Sequence, residues 1–221
     1  MNDSEVADYL LANPQFFVTH AELLGHIRLS SPHGDRAISL SERQLERLRE
    51  KNRGLERQLA ELVRYGHEND GLAQKFVRWS ARVLAEREPA ALPEAVAAGL
   101  RETFAIPSAA VRLWEVAEAY RDMPCAAPVD EQTRLFAGSL SAPYCGLDPL
   151  SEATRWLPAE PPCASVAILP LRMPAAETPD TFGLLVLGSP DAQRFHPGMA
   201  TDLLAQIGVL AGAALSRLRG V

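Results

Sequence analysis

Cysteine is scarce: Cys125, Cys145 and Cys163 are the only three among 221 residues. Thiols so few and so far apart build no disulfide scaffold, and their spacing matches no zinc knuckle. Histidine offers no metal site either, because His20, His26 and His33 are six and seven residues apart and no pair shares a helical turn. The sequence devices of several enzyme classes are also missing: there is no Gly-x-Ser-x-Gly elbow, P-loop, Gly-x-Gly-x-x-Gly or His-Glu-x-x-His. No apolar run approaches the roughly 18 residues that span a bilayer, and the N-terminus MNDSEVADYL carries acids where a secretory signal carries bases. The expectation is a cytoplasmic chain with no membrane contact. Excess positive charge is lacking too. A net charge of −6 argues against broad nucleic-acid binding, which neutralises phosphates with Lys and Arg. The local exception, eight Arg or Lys against five Glu in residues 36–64, is interleaved as on the solvated flank of a coiled coil.

What is present begins with a heptad. In the stretch AISLSERQLERLREKNRGLERQL, the a positions are Ile38, Leu45, Asn52 and Leu59, and the d positions are Ser41, Leu48, Leu55 and Leu62. So narrow an apolar seam suits one neighbouring helix rather than a globular core. The buried amide of Asn52 would select two parallel strands in register. The predicted dimer contacts are therefore Ile38, Leu45, Leu48, Asn52, Leu55, Leu59 and Leu62. Ser39 and Glu42 read as a capping box that starts the helix, and Glu46–Arg49, Glu50–Arg53 and Glu61–Arg64 as i,i+3 pairs on its surface.

Three regions follow: a helical cap at 1–35, the coiled-coil helix and a junction at 36–70, and a globular domain at 71–221. In the cap, one helix stops before Pro14 and a second carries Phe16, Phe17, Leu23, Leu24 and Ile27, before SSPHG breaks the pattern. Past YGHENDG the stripe resumes as Leu72, Phe76, Trp79 and Val83. A helix from Pro93 to Phe104 precedes a strand at 109–116, with Tyr120–Met123 as its hairpin partner. Residues 124–162, rich in proline, read as an irregular connection with two short helices, DEQTRLFAGSL and SEATRWL. ASVAILPL and TFGLLVLG are near-continuous apolar runs, as expected of central strands covered on both faces, with Pro170 at a strand end. Met199, Leu203, Ile207, Leu210, Ala214 and Leu218 stripe a final helix. Its small residues Gly208, Ala211, Gly212 and Ala213 would let a partner helix approach.

The C-terminal run FGLLVLGSPDAQRFHPGMATDLLAQIGVLAGAAL resembles the closing strand, turn and helix of a GAF domain, a small-molecule-sensing fold related to PAS. NPQFF followed by AISLSERQLERLREKN resembles the bacterial family called domain of unknown function 484, and that resemblance covers nearly the whole chain. It implies an α+β fold: a GAF-like antiparallel sheet of about six strands flanked by helices, preceded by a long N-terminal helix forming a parallel dimeric coiled coil, with the first and last helices of the domain at the dimer interface. It brings no catalytic residues.

In GAF domains a ligand lies between the sheet and the irregular connection. That places Arg112, Trp114, Tyr144, Cys145 and Ser165 as ligand-binding candidates, suited to a small anionic molecule. No NKFDE-type run supports a cyclic nucleotide, and no cysteine stands in a loop suited to attaching a bilin. The leading reading is a non-enzymatic homodimer of regulatory or sensory type, without cofactor or metal, acting on an unidentified protein partner. Two alternatives stand beside it. One is an assembly module with an empty pocket; the other is a thiol enzyme of the GAF-fold methionine sulfoxide reductase type, using Cys125 and Cys145, which requires an activated thiolate and a resolving thiol. Asp148 and Glu152 are read as acids at a helix start.

Overall fold

The computed structural model describes residues 2–26, 28–31, 34–147, 152–158, 160, 162–173 and 180–220, with side chains left undescribed at 24, 25, 28–31, 34–42 and 153. His33, Ile27, Asp148, the side chain of Leu24 and the Ser39–Glu42 capping contacts fall outside that set. By proximity along the backbone the chain divides into two units, Met1–Asn69 and Asp70–Val221.

In the first unit, helix α1 (Asp3–Ala12) opens with a reciprocal cap in which the side chain of Asn2 accepts from Glu5 N–H and Glu5 accepts from Asn2 N–H at 2.9 Å. It ends two residues before Pro14, as the proline requires. The apolar stretch that follows makes two short helices rather than one, α2 (Gln15–Thr19) and α3 (Ala21–His26). Next comes a feature the sequence reading did not contain, a hairpin of β1 (Arg28–Ser31) and β2 (Gly34–Ser39) in which Leu29 faces Ile38. The long helix α4 (Leu40–Ala85) starts only after it. Ile38 is therefore a strand residue, and its assignment to the helical a position is corrected. Leu45, Leu48, Leu55, Leu59 and Leu62 do lie on α4 and are exposed in the single chain, from 47% at Leu45 to 67% at Leu62. YGHENDG continues the helix without a break. Arg64 pairs with Glu68 at 2.6 Å, one turn ahead, and not with Glu61.

The second unit is built on a four-stranded antiparallel sheet of order β3-β6-β5-β4: β3 (Ser108–Leu113), β4 (Tyr144–Gly146), β5 (Ser165–Arg172) and β6 (Thr181–Ser189). Four strands, not six, form this sheet among the described residues. The expected hairpin at 120–123 is replaced by a 3₁₀ turn at Glu118–Tyr120, so the partner of β3 is β6, with Ala110 facing Val186. Proline at 170 sits inside β5, not at its end. Pairing with β4 has already stopped at Tyr144↔Ile168, so no β4 partner needs the missing N–H.

Both faces of the sheet are covered, which is why β5 and β6 read as continuous apolar runs. One face, with Ala109, Val111, Leu113, Leu169 and Leu187, packs against α5 (Leu92–Phe104), α8 (Asp202–Leu215) and Trp79 and Val83 at the end of α4. The indole of Trp79 donates to Val96 O at 3.3 Å and lies where a side chain on Gly99 would stand. The other face, with Trp114, Val166, Ile168, Leu184 and Val186, is closed by the connection through Val129, Ala137 and Leu157. The connection holds the two expected short helices, α6 (Glu131–Ser139) and α7 (Glu152–Arg155).

The final helix differs from its sequence reading in which side it buries. Met199 precedes α8, and the buried positions are Leu204, Ile207, Gly208, Ala211, Gly212 and Leu215. A Cβ on Gly212 would stand 2.6 Å from Arg172 O, and one on Gly208 would stand 3.6 Å from Pro170 O. Gly208 and Gly212 thus serve the close approach of α8 to β5. The helix is apolar nearly all round, so its spacing alone did not choose between faces.

Candidate functional site

The five residues expected around one pocket divide between the two faces of the sheet. Alternation along a strand sends successive side chains to opposite sides. Arg112, Trp114 and Tyr144 lie on the side covered by the connection. Cys145, opposite Ala167, belongs to the helix-covered core and is buried there. Ser165 shares that side; its hydroxyl donates to Asp191 O at 2.7 Å and accepts from Phe195 N–H at 3.3 Å, holding the turn after β6. Cys145 and Ser165 are therefore not brought together with the other three.

On the connection side, Trp114 is buried, donates to Thr181 O at 2.8 Å and carries the guanidinium of Arg134 5.8 Å above its ring. Tyr144 donates to Leu147 O at 2.8 Å and meets Phe136 edge-on at 6.1 Å. Arg112 is half-buried. Its Nη1 donates to Pro124 O at 2.8 Å, and the guanidinium lies 5.4 Å from the centre of the Trp156 ring. Burial pulls its pKa down, opposed by the fields of Cys125 and Glu152. Among the described residues no carboxylate lies within ion-pair distance of Arg112. A guanidinium has five N–H donors in a planar fork. Arg112 commits few of them, so it has capacity for a carboxylate or phosphate.

Beside Arg112 lies a cavity of about 290 Å³, with walls that include Pro93, Glu94, Ala109, Met123 and Cys125. Burial raises the Cys125 thiol above its ordinary value, an effect only offset in part by its own backbone N–H and by Arg112. Burial alone raises Cys145 and Cys163. All three are free thiols, and none has the depressed pKa that a thiolate nucleophile needs.

Sequence reasoning missed three features here. Trp156 was placed on a short helix but not assigned to Arg112; an aromatic beside charged residues in a short amphipathic helix was the available signal. Thr133, fully buried, holds two carboxylates at once: its N–H donates to Asp130 at 2.6 Å and its hydroxyl to Glu152 at 2.8 Å, so α6 is tied to α7. Glu152 is thus a link between the two connection helices. The third is a groove of about 630 Å³ between Phe76, Val83 and Leu84 of α4 and Val209, Leu210 and Ala213 of α8. Its outermost side chains, Leu84 and Val209, are 73% and 66% exposed.

Among the described residues no cluster of three or more His, Cys, Asp or Glu could hold a metal ion, and no helix is long and apolar enough to cross a membrane. No curated protein matches the sequence. Among solved structures, the chain is similar to the GAF domain of a putative sensor histidine kinase from Pseudomonas syringae pv. tomato, with 18% identity, a TM-score of 0.46, and coverage of 70% of this chain and 92% of that one. It is also similar to the GAF domain of the potassium sensor histidine kinase KdpD from Escherichia coli, with 20% identity, a TM-score of 0.43, and coverage of 66% and 94%. The model of the family described as "Protein of unknown function, DUF484" matches residues 1–218, and the chain belongs to that family.

Proposed function

We propose that this protein is a non-enzymatic, homodimeric regulatory module that binds a small anionic molecule at Arg112 and relays its occupancy through α4. The observation that carries the reading is Arg112 itself, a half-buried cation with no carboxylate partner among the described residues, stacked on Trp156 beneath the connection. A cation kept partly out of water without a counter-ion costs stability, and an incoming carboxylate or phosphate recovers it. Raised thiol pKa values support the non-enzymatic side of the proposal.

The dimer rests on the exposed seam of Leu45, Leu48, Leu55, Leu59 and Leu62 with Asn52 among them. A stripe of exposed leucines at heptad spacing is stable in water when a second helix covers it. Within the second unit, the groove between α4 and α8 gives the two-fold partner a further place to pack, since an isologous contact needs a knob and a hole on the same patch. The relay requires a ligand with different affinities for two arrangements of α4. Differential scanning fluorimetry against a panel of small carboxylates and phosphates tests the ligand: at least one should raise the melting temperature of the native chain and leave Arg112→Gln unmoved. A panel that shifts both proteins equally, or neither, contradicts the reading.

A further inference from the structure

The outer edge of β3 carries a separate inference. Among the described residues β6 alone pairs with β3, which makes β3 an edge strand of the sheet they form. Trp114 N–H donates to Phe182 O at 2.9 Å, in the same register that sets Arg112 against Leu184 and Ala110 against Val186. An antiparallel ladder alternates between pairs that exchange hydrogen bonds and pairs that do not. Residues 110, 112 and 114 therefore bond inward to β6, and the backbone groups of Ala109, Val111 and Leu113 point outward.

Those outward groups are poorly occupied. The carbonyls of Ala109 and Val111 receive only long bonds from side chains, Arg101 Nη1 at 3.4 Å and Arg112 Nη1 at 3.5 Å. Among the described residues, no turn, loop or side chain accepts from the N–H of Ala109 or Val111. The cavity beside Arg112 runs along this edge, between Pro93 and Glu94 of α5 and the turn at Met123–Cys125. Past Glu115, whose φ of 64° breaks the strand, the chain already takes an extended segment. Gly220 N–H donates to Glu115 O at 3.2 Å and Ala117 N–H to Leu218 O at 2.8 Å, so residues 218–220 run antiparallel to the continuation of β3. Along positions 109–113 no extended segment pairs with the edge among the described residues; Ala109 and Val111 are 7% and 5% exposed there, at the floor of a groove walled by α5 and the Met123–Cys125 turn.

A strand edge with free amides is a template for another strand. Charge narrows the occupant. Arg101 comes from the helix-covered side, where its ion-pair partner Glu94 is a 73% exposed side chain, and Arg112 from the connection side, with no ion-pair partner among the described residues. Successive side chains of an added strand alternate between those two sides. We propose that the β3 edge docks an extended, carboxylate-bearing segment of a partner protein, which pairs with Ala109 and Val111 and sets acidic side chains against Arg101 and Arg112.

Residue-resolved hydrogen exchange on the full chain is the first test. In the free protein the amides of Ala109 and Val111 should exchange at least about tenfold faster than those of Ala110 and Arg112; equal protection means a closed edge and overturns the proposal. A fluorescein-labelled peptide repeating Val-Glu-Glu, whose adjacent acids face opposite sides of an added strand, should then slow both amides. Its binding should weaken by about tenfold or more when Glu is replaced by Lys in the peptide, and likewise in Ala109→Pro, which removes one outward N–H while sparing the bonds to β6. A saturating peptide that protects neither amide, or binds equally well with Lys, overturns the proposal. The lysine comparison uses the native chain, so it stands even if the proline variant does not fold. Protection that rises with protein concentration in the absence of peptide assigns the edge to a second copy and excludes the partner segment. The inference does not rest on the ligand reading: Ala109→Pro should keep the thermal shift given by small anions, whereas Arg112→Gln should lose both responses.

Discussion

The guanidinium of Arg112 reaches across from β3 to the carbonyl of Pro124 at 2.8 Å, joining the sheet to the start of the connection through a single charge-assisted bond. Pro124 O is exposed and can turn to water if that bond is lost. Replacing an incompletely paired, half-buried cation with an apolar side chain is often neutral or stabilising. Arg112→Leu should therefore leave the melting temperature within about 3 °C of the parent, a shift on the scale of about 1 kcal/mol for a chain this size. It should also abolish the response to small anions. A collapse of stability would mean that Arg112 is chiefly a structural tie.

The exposed leucine seam makes a claim about mass. Leu48→Asp combined with Leu55→Asp places charges where knobs should enter holes, and sedimentation equilibrium should show the double variant as a monomer. An unchanged mass would show that α4 does not hold two chains together. Asn52→Ile should raise thermal stability while loosening the choice of oligomer, because a buried amide trades stability for register.

Gly212 separates two uses of small residues on α8. A Cβ there would stand 2.6 Å from Arg172 O, so helix or strand must shift. Overpacking of this kind costs about 1–3 kcal/mol, against a gain of about 1 kcal/mol in helix propensity on leaving glycine. Gly212→Ala should lower the melting temperature by a few degrees and leave the oligomeric mass unchanged. A change of mass with stability intact would return this position to a helix–helix interface.

Asp130 gives the acid limb a specific origin. Its carboxyl is held below the ordinary range by the hydrogen-bonded cluster it forms with Glu152 and with the Thr133 side chain and N–H. A carboxylate with a depressed folded-state pKa stabilises the fold above its unfolded value, and that contribution is lost as pH falls through the lower folded value. Asp130→Asn should therefore flatten the loss of stability below about pH 4 and keep the α6 cap partly intact, since asparagine also caps. Melting temperatures measured from neutral pH to pH 2 check this. Identical acid limbs for the two proteins would contradict it.

Strong periodicity made some elements legible and left others out of reach. The 3.5-residue repeat marked α4, and the apolar runs marked β5 and β6 to within a residue or two. The same uniformity hid their faces. Because β5 is apolar on both sides, nothing in SVAILPLR says whether Ser165 looks toward the helices or the connection, and a one-residue change of register exchanges the two. Cys145 suffered likewise in a strand of three residues, too short for alternation to speak. Ile38 fitted the heptad, yet a hairpin formed by long-range pairing with Leu29 claimed it. Arg112 and Trp114 share the connection side of the sheet because β3 alternates. The pairing of Arg112 with Trp156 joins residues 44 positions apart in sequence, and no local signal encodes such a contact.

Native mass spectrometry of the protein, purified gently from its own host, tests the central claim most directly. The account predicts a dimer in which each chain carries one small acidic molecule, and loss of that added mass from the Arg112→Gln dimer. A monomer, or a dimer whose mass is that of two bare chains, would contradict it.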